Sequence, residues 1–245
     1  MIEQAPDVIV LALDTCDARG SVAVLRDAAV LKVVVLESQE DYSTWLLPAV
    51  RECLAGAELR IEDVEAYAAA VGPGSFTGVR VGLTAVKAWA EVYGKKIAAV
   101  SRLEALAAEA SGGTNWVAAF ANAQRGQVFG AVYQRNGKGL TRLGDEMVIA
   151  PGKFLEAAEE AAKGERISWV STDAECVVGE EAWKARERLG ERIESVSTVR
   201  APMIGRLGLE ALKEGRCTDA LTLDANYVRR SDAEVLWKGN AAHRR

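Results

Sequence analysis

The nine residues 72–80, reading GPGSFTGVR, constrain the fold of this chain more than any other stretch. They follow the apolar run Ala66–Val71 and open a long helical pattern, so they mark a turn where a buried strand hands over to a helix. Gly72, Gly74 and Gly78 admit backbone angles and close approaches that a β-carbon blocks, Pro73 stiffens the turn, and Ser75 or Thr77 can cap the helix. Such a turn aims free N–H groups and the positive end of a helix at whatever lies above it. Two readings stay open at this point: an anion or nucleotide site using Gly74, Ser75, Thr77, Gly78 and Arg80, or a tight structural joint. The Walker pattern fails for want of a lysine after the last glycine, and the dinucleotide fingerprint needs one residue fewer between the second and third. Pro73 occupies the place of the first glycine of G-x-S-x-G, so Ser75 is not an elbow nucleophile.

Around this turn the hydrophobic pattern predicts strands at Val8–Leu13, Ser21–Leu25 and Val30–Leu36, then a helix over 43–55, a strand at Ala66–Val71, a helix over 77–93 and a strand at Ile97–Val100. Beyond Ser101 it predicts a helix over 103–110, strands at 116–121, 127–133 and 139–149, a helix after Pro151, a strand at 167–170, and helices over 180–188 and 202–214. Asn136-Gly137 is a hairpin turn signal. The chain is thereby divided into a first lobe (1–104), a second lobe (105–228) and a charged tail (229–245), with no internal sequence repeat. The first lobe's order, βββαβαβ, is that of the ribonuclease-H-like lobe of the actin, hexokinase and acetate-kinase group, an order that hosts many functions.

Composition removes several chemistries. The single histidine, His243, excludes a His-containing triad, an HExxH helix and a histidine metal cluster, and with them a metallo-glycoprotease role. Cys16, Cys53, Cys176 and Cys217 form no C-x-x-C pair, so no zinc or redox motif is expected. A net charge of −5 argues against an autonomous grip on RNA phosphates. The first apolar run, six residues long, is too short for a membrane span or an export signal, and a cytoplasmic location is expected.

Together with GPGSFTGVRVGL, the segments VIVLALDT and SVAVL near the N-terminus, AVSRLEALA at 99–107 and ANYVRR near the C-terminus resemble the bacterial TsaB (YeaZ) family, most densely over residues 8–107. The resemblance implies an α/β fold of two ribonuclease-H-like lobes of the actin-like ATPase (ASKHA) superfamily. It further implies a non-catalytic partner of the TsaD transferase in making threonylcarbamoyladenosine beside the anticodon of ANN-decoding tRNAs. No cofactor is then expected on this chain. ATP and metal would sit on partner subunits, a TsaE-type ATPase would join through the complex, a homodimer would form alone, and tRNA contact would be indirect.

In an actin-like cleft each lobe supplies a phosphate loop. Asp14, at the end of the first strand, stands where a kinase would hold Mg²⁺, or else it serves its own turn by accepting backbone N–H groups. In the second lobe the family's pattern has Asp-Ala-Arg, whereas this chain has Asn122 and Gln124. The missing carboxylate disfavours the enzyme alternative, a small-molecule kinase, and no ATP hydrolysis is expected of the isolated chain. A binding-only role for nucleotide stays open.

The helix over 77–93 confines Arg80, Thr84, Lys87 and Glu91 to a stripe about 60° wide. Its apolar remainder must be covered on at least two sides, by neighbours in the lobe or by a partner. With the stripe of the helix over 43–55, this makes Tyr42, Trp45, Leu46, Ala49, Val50, Val79, Gly82, Leu83, Val86, Trp89 and Ala90 the expected partner interface. Relatives commonly carry a histidine where this chain has Tyr42. Glutamates at 86 and 90 are the substitutions expected to test that interface.

Overall fold

The computed structural model describes residues 7–37, 40–137 and 139–229. Apart from Arg229, the expected C-terminal tail lies outside them. The first sheet contains β1 (Ile9–Asp14), β2 (Ser21–Arg26), β3 (Ala29–Val35), β4 (Ala66–Ala70) and β5 (Lys96–Val100), in the order β3-β2-β1-β4-β5. β1 to β3 form an antiparallel meander, and β4 and β5 extend it in parallel through the crossover helices α1 (Tyr42–Gly56) and α2 (Phe76–Tyr93). β1 is buried along its whole length, as a strand covered on both faces must be.

The second sheet repeats this plan. It consists of β6 (Trp116–Asn122), β7 (Val128–Asn136), β8 (Gly139–Ile149), β9 (Ile167–Ser171) and β10 (Ile193–Ser195), in the order β10-β9-β6-β7-β8. An antiparallel β6–β7–β8 meander is again extended in parallel by β9 and β10. Helices α4 (Pro151–Ala161), α5 (Glu175–Val178) and α6 (Glu181–Arg188) close this lobe around Phe120, Phe154, Trp169 and Trp183. α3 (Arg102–Ala108) is capped by Ser101, whose hydroxyl accepts from the N–H groups of Leu103 and Glu104.

The fold class expected from the sequence is the one observed. The lobe boundary requires correction at its C-terminal end. α7 (Ala201–Lys213), expected in the second lobe, packs on the first sheet, and its Ala201, Ile204, Leu209 and Ala211 belong to the first lobe's core. Closeness explains this placement. A β-carbon on Gly205 would meet Leu25 and Ala12, and one on Gly208 would lie 2.4 Å from Ala68. Ala12, Ala68 and Ala98 stand opposite one another on β1, β4 and β5, so a row of small side chains admits a helix with small residues on its facing side. The chain then pairs Thr218 with Ile97 at the edge of β5, and so remains on the first lobe.

Cys16 and Cys53 are buried, whereas Cys176 and Cys217 are partly accessible. Burial pushes both interior thiols up, that of Cys53 to about 11. In the native chain at pH 8 a soluble disulfide reagent should leave Cys16 and Cys53 unmodified, and both should react once urea unfolds the protein. Equal, immediate reaction of all four would contradict this packing.

Candidate functional site, the cleft between the lobes

The turns that end β1 and β6 face each other across a cleft of about 510 Å³. Its walls include Cys16 and Asp17 after β1, Gly74–Phe76 at the start of α2, Arg102 of α3, and Asn122–Arg125 after β6. Asp14 itself lies beneath, fully buried. Its Oδ1 accepts from the Cys16 N–H at 2.8 Å, and its Oδ2, which takes no hydrogen bond, lies 3.5 Å from Nε of Arg102. Arg102 also donates from Nη2 to Asp17. Burial alone would lower the pKa of Arg102, but Asp14 and Asp17 outweigh it and hold the guanidinium charged.

The glycine turn serves the joint between α2 and this acidic turn. A β-carbon on Gly74 would lie 2.1 Å from the Cys16 carbonyl oxygen, and one on Gly78 would lie 1.9 Å from that of Thr15. The helix therefore presses directly on the β1–β2 turn, and Thr15 Oγ1 donates to the Gly78 carbonyl at 2.7 Å. Ser75 caps α2 by accepting from the Gly78 N–H, while its own N–H donates to the Cys16 carbonyl at 2.7 Å. Thr77 is exposed. Arg80 is turned aside: its guanidinium carbon lies 3.8 Å from the Phe76 ring centroid and its Nε donates to the Tyr227 hydroxyl at 3.0 Å. Asp14, Gly74, Ser75 and Gly78 thus gather at one place, and Thr77 and Arg80 do not join a common pocket with them.

The counterpart turn of the second lobe is built likewise, without the charge. Asn122 Oδ1 accepts from the Gln124 N–H at 2.7 Å, as Asp14 does two residues on, and Gln124, Arg125 and Gly126 all take left-handed backbone angles. The Mg²⁺–nucleotide arrangement of the fold family does not fit these residues. Asp14 is engaged by a guanidinium, and Asn122 brings no second negative charge. Among the described residues no group of three or more His, Cys, Asp or Glu side chains could hold a metal.

The expected partner interface is corrected. Trp45, Leu46, Ala49, Val50, Val79, Gly82, Leu83, Val86 and Ala90 point into the chain's own core, with Val86 completely buried. The first sheet and α1 cover α2 on its apolar sides, so these side chains form no exposed face. Gly82 does allow close approach, but to Thr15 of the same chain. Trp89 is half-buried against Tyr67, their ring centroids 6.0 Å apart, and Tyr42 is half-buried with its hydroxyl donating to the Asp17 carbonyl. The apolar residues that α1 and α2 present outward include Leu47, 59% exposed, with Pro48 and Ala55, and Val92, 73% exposed, with Ala88.

Arg102, Glu146, Asn226, Tyr227 and Arg229 were not singled out from the sequence. Asn226, Tyr227 and Arg229 fall within the quoted ANYVRR segment and Arg102 within AVSRLEALA, so the signal was present without a role attached.

A family model for TsaD, tRNA N6-adenosine threonylcarbamoyltransferase, matches residues 33–188. The tRNA threonylcarbamoyladenosine biosynthesis protein TsaB of Escherichia coli is 30% identical over 71% of this chain and 73% of its own length. The chain belongs to the TsaB (YeaZ) family. The Bacillus subtilis TsaB is 27% identical over 93% of this chain and 97% of its own. Among solved structures, YeaZ from Pseudomonas aeruginosa superposes with a TM-score of 0.69 at 27% identity, covering 90% of this chain and 99% of that one. A hexokinase from Thermus thermophilus, 14% identical with a TM-score of 0.51 over 85% of this chain and 100% of that one, shares the fold alone. This TsaB-family chain is thus a two-lobed α/β protein of tRNA threonylcarbamoyladenosine biosynthesis, and no helix among its described residues is long and apolar enough to cross a membrane.

Proposed function

We propose that this chain is a non-catalytic subunit of a cytoplasmic complex, in which it binds a TsaD-type transferase that modifies ANN-decoding tRNAs. The observation that carries this reading is the ion pair of Arg102 with Asp14, which commits the first lobe's acidic residue to an internal cation. Asn122 withdraws the second charge, so ATP and metal belong to the partner subunits. A TsaE-type ATPase joins through the complex, the chain pairs with itself when alone, and tRNA is met through the partner, in keeping with a net charge of −5.

The surface offered to the transferase is the outward side of α1 and α2. Leu47, Pro48, Arg51, Glu52 and Ala55 border a shallow groove there, and exposed apolar side chains such as Leu47 and Val92 gain most from being covered. Light scattering on a sizing column, with this chain and the TsaD homologue of the same organism, should show a species at the summed mass. Leu47→Glu should weaken that association at least about tenfold while leaving the fold intact. Absence of any complex would overturn the proposal, and an unaffected complex of the variant would remove α1 from the interface.

A further inference from the structure

The residues 226–229 touch both lobes. The Asn226 N–H donates to the Val71 carbonyl, just beyond β4, at 2.8 Å, and its Nδ2 donates to Glu146 of β8 at 2.6 Å. Glu146 is nearly inaccessible and also accepts from the Ser101 hydroxyl, at the point where the chain passes from one lobe to the next. One residue after Asn226, the Tyr227 ring lies 4.9 Å from that of Phe76 at the start of α2. Arg229 then crosses to the second lobe, donating from Nη1 to the Ala123 carbonyl at 2.7 Å and from Nη2 to Gln127 Oε1 at 2.6 Å. Those two residues bracket the left-handed turn after β6.

Room is made for this crossing. A β-carbon on Gly72 would lie 2.9 Å from the Asn226 carbonyl oxygen, and Gly72 has φ +109°, a second reason for glycine at this position. Upstream, Leu223 is 3% exposed in the first lobe's core and Thr218 is paired with Ile97, so the segment leaves from a fixed base. Asn226 to Arg229 also form part of the cleft wall.

We propose that the segment 226–229 is an intramolecular latch, which sets the angle between the lobes by tying the glycine turn after β4 to the turn after β6. The bridge between them is covalently part of the chain. The interlobe angle is therefore fixed without a nucleotide, which gives any partner of either lobe a preorganised shape. The inference concerns this chain's own lobes and does not depend on which partner it binds.

Hydrogen–deuterium exchange on the full chain tests it, with small-angle scattering as a second readout. The double variant Asn226→Ala with Arg229→Ala should speed exchange at 122–128 and 72–79 about tenfold, the factor expected when one or two net hydrogen bonds are lost. Amides of β1 and α7 should keep wild-type protection, and the radius of gyration should rise. Adding ADP or ATP with Mg²⁺ to the wild-type chain should change neither readout. Wild-type exchange at both turns in the double variant would overturn the latch, as would nucleotide-induced closure of the wild-type chain. If the double variant unfolds globally, Arg229→Gln, which alters a side chain at the protein surface, provides the same reading at 122–128: faster exchange supports the latch and unchanged exchange overturns it.

Discussion

Val86→Glu should destabilise the protein by more than about 4 kcal/mol and lower the urea midpoint of the first lobe sharply. Val86 is 0% exposed on the face of α2 that meets the sheet, where neither water nor a cation could solvate a carboxylate. Domains of this size are stable by only about 5–15 kcal/mol, so a penalty of this order consumes much of the margin. Ala90→Glu, at a position 4% exposed, should act in the same direction. Thr84→Glu, on the exposed stripe of the same helix, should change stability by no more than about 0.5 kcal/mol. Urea unfolding followed by circular dichroism separates these cases. Native-like stability of Val86→Glu, with loss of partner binding alone, would mean that this helix face points outward and that the packing described above is wrong.

The distinction matters because the sequence pattern of α2 admits both arrangements. Apolar residues around most of a helix show that it is covered on more than one side, but periodicity does not name what covers it. A sheet beneath and α1 alongside produce the same pattern as a helix from another subunit. The glycine turn was more legible, since a strand buried on both faces followed by Gly-Pro-Gly leaves few alternatives to a strand-to-helix joint. Its detail was not, because the atoms that exclude a β-carbon at Gly74 and Gly78 are the carbonyls of Cys16 and Thr15, some sixty residues earlier. α7 was recognisable as a helix, yet its return to the first lobe depends on Ala12, Ala68 and Ala98 lining up on three strands, a coincidence visible only once the sheet register is known. β10 and α5, of three and four residues, are too short to carry a period at all. The shared plan of the two lobes lies in strand order rather than in residue identity, which is why no sequence repeat announced it.

Arg102→Met should cost about 3–5 kcal/mol, because it leaves the Asp14 carboxylate buried without a counter-charge. Arg102 is 6% exposed and Asp14 0%, so water cannot take over the role of the guanidinium. Asp17, partly exposed, loses less, since solvent can satisfy it. Combining Arg102→Met with Asp14→Asn should recover about 2 kcal/mol of that loss in urea unfolding, so that the coupling term of the double-mutant cycle exceeds this recovery by the cost of Asp14→Asn alone. The second lobe provides the reason to expect recovery. At the end of β6, Asn122 closes the same two-residue turn onto Gln124 that Asp14 closes onto Cys16, and it does so with a neutral side chain. The turn therefore needs an oxygen acceptor, not a charge. If Asp14 serves this turn and is balanced by Arg102, its amide replacement is tolerated once the arginine is gone. Strictly additive losses in the cycle would show instead that Asp14 and Arg102 stabilise the chain independently, and the internal-cation argument would fall with that result.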